Sequence, residues 1–389
     1  MKKRGIYVHI PFCQSKCYYC DFVSFSKCSK DNMGLYFESL WSEIEQGAVE
    51  KAKIRSIYFG GGTPSFVPQA YIIKTLDLIK EKFNLCEDAE ITIEANPDSL
   101  TQEKANAYFK AGFNRVSIGL QAAQDRLLKI LGRPHTFADF MKAISVLRKA
   151  GFKNLSADLM FGLPNQSIED VLESVERLAE IKEIKHVSCY SLELKEGTVL
   201  KQKIQSGELS LPTEKQERKM AYVLREALNE AGLNQYEISN FARPGFESRH
   251  NGAYWDLSPY YGFGLGAAAY INNERKTNTP ILKVYTDWGI ASLAKASEER
   301  TPPPTIECHH LSTTEQQEDF MFLGLRRMKG VDDYQFREQF GKSFFILYQE
   351  AIETLKKQGL LWQKETRIGL TLKGQDFANR VFMAFLQMD

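Results

Sequence analysis

The 389-residue sequence predicts an α/β protein: a (β/α)6 barrel, complete or partial, followed by a small C-terminal α+β module resembling a winged helix. Three observations carry this reading. A weak internal repeat sets a unit of about 40 residues. Strand and helix patterns alternate at that spacing. Glycines and polar residues gather where each expected strand ends.

The repeat is clearest in "KAGFNRVSIGLQ" (110–121) and "KAGFKNLSADLMFG" (149–162), with a fainter copy in "EAGLNQYEISNF" (230–241). Each opens at the end of an amphipathic helix, where Gly112, Gly151 or Gly232 suits a left-handed cap, and then enters a short apolar strand. The pattern predicts strands near 5–10, 54–59, 90–94, 115–119, 155–160 and 186–192. Helical periodicity lies between them, as in "DNMGLYFESLWSEIEQGAVEK" and "SIEDVLESVERLAEIK". Such alternation implies parallel strands joined by right-handed crossovers, with a doubly wound sheet as the alternative. The rhythm breaks after residue 245, giving expected units of 1–245, 246–296 and 297–389. The middle unit is rich in glycine and aromatics. A proline-bearing stretch opens the last, which then reads as two or three helices, a hairpin over 360–374 and a final helix over 375–386.

Composition narrows the function. With 43% hydrophobic and 25% charged residues and a net charge of +1, the chain has the make-up of a soluble globular protein and lacks the basic excess of a nucleic-acid binder. No signal peptide and no bilayer-spanning run is expected. Of seven cysteines, Cys28, Cys86, Cys189 and Cys308 are scattered, which is no disulfide framework and suits reduced thiols in the cytoplasm.

The other three, Cys13, Cys17 and Cys20, follow the first strand with C-x3-C-x2-C spacing. Three thiolates can hold three irons of a [4Fe–4S] cluster and leave the fourth iron open to a small molecule. A zinc site, with His9 or Cys28 as fourth ligand, is the alternative. The second strand ends in Gly60-Gly61-Gly62-Thr63, where the backbone can approach a ligand closely, or simply turn. Glu94, Gln121 and Asp158 stand at the ends of later strands, and Arg133 follows in "LGRPHT". Arg133 suits a carboxylate and Asp158 suits ribose hydroxyls, though each alone also reads as a surface ion pair or cap. In parallel barrels the strand C-termini form one face, so these stretches converge on one mouth.

Taken together, "YVHIPFCQSKCYYC", "FGGGTPS", "SIGLQ", "LGRPHT", "DLMFGLP" and "HNGAYW" resemble the radical S-adenosylmethionine (SAM) superfamily. The resemblance spans nearly the whole chain. It is narrowest to the branch of oxygen-independent coproporphyrinogen III dehydrogenases and heme chaperones. It implies a radical SAM barrel with that branch's C-terminal domain, a cluster on Cys13, Cys17 and Cys20, and SAM on its open iron. Tyr7, Tyr19, Gly61, Gly62, Thr63, Glu94, Gln121, Arg133 and Asp158 would line the SAM site.

The dehydrogenases resemble C-x3-C-x2-C-x-C, whereas Phe22 stands here where their extra cysteine falls, and they carry a longer segment ahead of the cluster. "HNGAYW" resembles the chaperones, with His250 as a candidate axial ligand of heme and Tyr254 and Trp255 as flat partners of the macrocycle. Relatives commonly place a histidine where this chain has Ala268. The implied function is heme binding and transfer to acceptor proteins, with oxidative decarboxylation of coproporphyrinogen III as the alternative. The implied partners are heme acceptors and a small redox protein as electron donor, with peripheral membrane contact and a homodimer as further expectations and no nucleic acid.

Overall fold

In the computed structural model, residues 3–47, 52–295, 299 and 301–386 are described. β1 (Arg4–Ile10) leads into two short strands, β2 (Phe12–Cys13) and β3 (Phe25–Ser26), which pair in parallel and bracket the cysteine loop. Helix α1 (Lys30–Gly47) then begins a regular alternation: β4 (Lys53–Gly61), α2 (Gln69–Lys82), β5 (Asn84–Ala95), α3 (Gln102–Ala111) and β6 (Arg115–Gln121). It continues through α4 (Asp125–Ile130), α5 (Phe137–Ala150), β7 (Leu155–Phe161), α6 (Ile168–Ala179), β8 (Ile184–Ser191), α7 (Val199–Gln205) and α8 (Glu214–Glu230). Strands β1, β4, β5, β6, β7 and β8 are parallel neighbours in that order, at the six expected places. Gly112 and Gly151 cap α3 and α5 in the left-handed conformation, as the repeat predicts.

The third copy of the repeat departs from the pattern. It forms β9 (Asn234–Glu237) and β10 (Asn240–Ala242), an antiparallel hairpin whose second strand runs antiparallel to β8. Only residues 238–239 join the two strands, too few for the crossover that a parallel pair needs.

After α9 (Arg249–Trp255), β11 (Tyr260–Phe263) adds in parallel to the free side of β1, some 250 residues away in sequence. β12 (Ala268–Ile271), β13 (Glu274–Asn278) and β14 (Thr305–His310) extend that edge antiparallel, with α10 (Leu282–Leu293) in between. The buried Glu43 carboxylate fastens this edge to α1, accepting hydrogen bonds from Gly264 N at 2.8 Å, Asn278 Nδ2 at 2.7 Å and Tyr285 Oη at 2.5 Å. The expected boundary at 297 falls within 296–298, outside the described residues. β14, beyond it, belongs to the same twelve-stranded sheet.

The C-terminal module has its own core around Met321, Phe336, Phe344, Ile352 and Val381. It comprises α11 (Thr313–Gly324), β15 (Val331–Asp332), α12 (Asp333–Phe340), α13 (Phe344–Leu347) and α14 (Gln349–Lys357). The hairpin β16 (Leu361–Lys364) and β17 (Arg367–Leu370) follows, with β15 added to β17. The expected last helix is two, α15 (Leu372–Asp376) and α16 (Ala378–Met383), broken at Phe377.

Side chains alternate across the two faces of the sheet along the strands. Ile6, Val8 and Ile10 of β1, Ile57 and Phe59 of β4, Ile91 and Ile93 of β5, and Val116 and Ile118 of β6 are buried in the main apolar core. The opposite face carries Tyr7, Tyr58, Glu94, Arg115, Ser117, Asp158 and Ser188, all lining a single cavity of about 660 Å³. On a flat sheet β1 and β8, five strand spacings apart, would be separated by about 24 Å. One cavity between them requires the sheet to curl, polar side inward.

Candidate functional site

The cysteine loop is held from three sides. Cys20 N donates to Cys17 O, Tyr18 N to Leu131 O at 2.9 Å, and Leu200 N to Tyr18 O at 2.8 Å, which ties the loop to the ends of α4 and α7. The glycine run at the end of β4 clamps its base, with Gly62 N donating to Ile10 O at 2.9 Å and Thr63 N to Phe12 O at 2.8 Å. A side chain at Gly62 would bring its Cβ within 2.9 Å of those same backbone atoms, and Gly61 has φ +111 with the His9 ring 2.4 Å from where a Cβ would stand. Close approach, not turning alone, requires these two glycines.

Asn96 links two of the thiols to the strand ends. Its Nδ2 donates to Thr63 Oγ1, and Thr63 Oγ1 donates to Cys13 Sγ at 3.5 Å. Its Oδ1 accepts from Arg133 Nη2 at 2.7 Å, while Arg133 Nη1 meets Cys17 Sγ at 3.4 Å. Arg133 Nη2 also donates to Gly119 O at 2.7 Å. Gln121, next along β6, takes the left-handed φ of +73 at a break in the register with β7, a strained conformation for a residue with a side chain. Burial pushes the thiols of Cys13 and Cys20 up from their ordinary values.

Two carboxylates line the same cavity and repel each other through space. Burial raises Glu94 to about 7, against the pull of the Tyr58 hydroxyl, which donates to Oε1 at 2.7 Å, and of Gly61 N, which donates to Oε2 at 3.1 Å. Burial raises Asp158 to about 6, while Ser188 and Ser117 donate to it. On the side of α9, Glu90 accepts the backbone N–H groups of Arg249 and His250 and fixes the helix start. His250 is 1% exposed, with Nδ1 3.1 Å from Ser56 Oγ, Nε2 2.8 Å from Tyr254 Oη and its ring stacked on Tyr58. Burial lowers its pKa to about 3, so the imidazole is neutral and both nitrogens are engaged within the protein.

Fourteen of the fifteen residues singled out from the sequence therefore line one cavity: Cys13, Cys17, Cys20, Tyr7, Tyr19, Gly61, Gly62, Thr63, Glu94, Gln121, Arg133, Asp158, His250 and Tyr254. Trp255 does not. Its ring lies under the Arg326 guanidinium, 4.5 Å away, on the side of the C-terminal module. Residues four apart share a helix face, which brings Tyr254 onto His250, whereas the next residue turns by about 100°. Sequence reasoning placed Asn96 at the end of the third strand, facing the mouth, and missed Tyr58, Arg115, Ser117 and Ser188. Their signal is the two-residue alternation from Glu94 or Asp158 and its register on neighbouring strands.

A curled parallel sheet with three convergent thiols at its mouth defines a class, the radical SAM superfamily, whose sequence model matches residues 7–178; that of the HemN C-terminal domain matches residues 311–377. The chain is 39% identical over 388 residues to the heme chaperone HemW of Lactococcus lactis, covering 100% of this chain and 98% of that one. It is 36% identical over 386 residues to HemW of Bacillus subtilis, covering 98% and 99%. The solved structure of coproporphyrinogen III oxidase (HemN) from Escherichia coli has the same fold, with a TM-score of 0.84 over 99% of this chain and 90% of that one at 23% identity. The chain belongs to the HemW family of the radical SAM superfamily.

The family implies SAM and a [4Fe–4S] cluster, and the donor set fits them. Cys13, Cys17 and Cys20 line one cavity, and three soft thiols are the ligand type and number that a [4Fe–4S] cluster with one open iron takes.

Proposed function

We propose that this chain is a heme chaperone, which binds heme and a SAM-ligated [4Fe–4S] cluster and hands heme to acceptor proteins. The observation that carries this reading is identity of 36–39% to two heme chaperones along essentially the whole of each chain. In this reading Cys13, Cys17 and Cys20 would hold three irons of the cluster and leave the fourth open to SAM. The cluster, when bound and reduced by a small redox protein, supplies electrons at the mouth of the barrel.

The chain's own residues do the rest. Thr63 donates toward the Cys13 sulfur and Arg133 toward that of Cys17, which orients both toward the mouth. Asp158 and Glu94 present carboxylates to the ribose and to the positive sulfonium, while Tyr7, Tyr19 and Gln121 close the walls. His250 would face heme by exchanging its Tyr254 hydrogen bond for iron, with Tyr254 remaining beside the macrocycle. Acceptor proteins, and a second copy of the chain, would meet the mouth from outside. Among the described residues no helix is long and apolar enough to cross a membrane, so membrane contact would be peripheral.

Anaerobic incubation with SAM, a reductant and either heme or coproporphyrinogen III tests the reading. A stable heme complex that passes heme to an apo-acceptor, without decarboxylation, is expected. Turnover of coproporphyrinogen III without stable heme binding would replace the chaperone by the dehydrogenase.

A further inference from the structure

Arg115 stands at the start of β6 with its side chain on the inner face, lining the cavity at 2% exposure. A guanidinium offers five N–H donors and no acceptor, and burying it without acceptors is costly. Yet among the described residues the Arg115 side chain makes no hydrogen bond and no ion pair, and its Nε is a buried atom without a partner. Thr92, its cross-strand partner on β5, has a buried hydroxyl in the same condition. Glu94 and Asp158 feel the Arg115 charge only through space.

The wall beside it is flat and aromatic. Tyr58 stacks on His250 with ring centroids 5.1 Å apart and on Tyr7 at 6.3 Å, and the Arg115 charge acts on both Tyr58 and His250. A buried cation with free donors beside an aromatic wall suits a flat ligand carrying a carboxylate. SAM's carboxylate is assigned elsewhere, at the cysteine loop. Gly119, whose carbonyl holds Arg133 beside that loop, is four residues further along β6, about 13 Å along the strand.

We propose that Arg115, backed by Thr92, is a carboxylate receptor on the inner wall of the barrel and takes a propionate of a porphyrin whose plane lies against Tyr58. The identity of the macrocycle rests on the heme-chaperone reading; the receptor itself does not.

The test compares heme with heme dimethyl ester, whose carboxylates are masked, on the cluster-loaded chain and on Arg115→Met. Wild type is expected to bind the free acid about tenfold more tightly than the ester, the worth of one charge-assisted pair. Arg115→Met should bind both at the ester's affinity, with SAM affinity at pH 9, where Glu94 and Asp158 are ionised, changed by less than about threefold. Arg115→Lys, a point charge without the planar fork, should retain part of the preference, and it carries the test if Arg115→Met does not fold.

A preference that survives in Arg115→Met overturns the proposal. So does an equal loss for acid and ester, which would make Arg115 a counter-charge for Glu94 and Asp158. A tenfold loss of SAM affinity that persists at pH 9, where Glu94 and Asp158 are ionised with or without the Arg115 charge, would give the carboxylate to SAM instead. If wild type binds neither porphyrin, the heme reading fails and the receptor is judged alone by thermal unfolding with 2-naphthoate and 2-naphthamide. Stabilisation by the naphthoate only, lost in Arg115→Met, supports it; no difference between the two compounds overturns it.

Discussion

With Glu94 at the sulfonium, as proposed, SAM binding should depend on pH in one direction. Burial holds its carboxyl near 7, with Tyr58 and Gly61 donating to it, Asp158 opposing its ionisation and Arg115 favouring it. The cationic sulfonium selects the ionised form, so affinity rises with pH and levels off above 7. Apparent Kd carries the factor 1 + 10^(pKa − pH), about 1.1 at pH 8 and about 11 at pH 6, which is close to tenfold or ~1.4 kcal/mol. Asp158, near 6, adds roughly twofold at pH 6, for about twentyfold in all. Glu94→Gln should weaken SAM binding at pH 8 by about tenfold, the worth of a charged hydrogen bond, and leave only the roughly twofold dependence of Asp158. Calorimetric titration of the anaerobic, cluster-loaded protein at pH 6, 7 and 8 reads both, and wild type at pH 6 should release a proton on binding. Wild-type affinity that stays flat between pH 6 and 8, or an equal slope in Glu94→Gln, would refute the reasoning.

Iron analysis after anaerobic reconstitution should give about four irons per chain, falling to background in Cys13→Ala, Cys17→Ala and Cys20→Ala. Cys28→Ala and Cys308→Ala, the latter on exposed β14, should keep full iron content. Arg133→Ala should lose SAM affinity and part of its iron together, because the same guanidinium meets Cys17 Sγ, Asn96 and Gly119; full iron with SAM lost would show that the sulfur contact is idle. Gly62→Ala should unfold more easily by roughly 1–3 kcal/mol and lose cluster, since its Cβ would press on the Ile10–Phe12 backbone; denaturant titration and iron counts measure each.

The barrel was legible because its outward faces alternate so regularly. Ile57 and Phe59, Ile91 and Ile93, and Val116 and Ile118 each mark a strand whose other face is polar. What local pattern could not show was pairing between distant segments. Nothing near Tyr260–Phe263 says that it will lie beside β1, and the third repeat copy looked like a strand of the parallel set until its two-residue connection forced a hairpin. The expected site residues divide in the same way. The cysteines, Gly61, Gly62 and Thr63 are close in sequence or in a local motif, and their geometry follows from it. Trp255 shares the "HNGAYW" stretch with His250, and the resemblance of that stretch places both at the heme, but a helix turns its successive residues to different faces.

Arg115 and Tyr58 illustrate the harder case. On one strand, a polar residue at every second position reads as the solvent face of a half-buried sheet. Only when six neighbouring strands curl do those faces turn toward each other, and residues that would be ordinary on a surface become a buried cation, two carboxylates and an aromatic wall around 660 Å³. The chemistry of the inner wall is thus a property of closure. Substitutions there should be judged by the residues across the cavity rather than by those next to them in the chain.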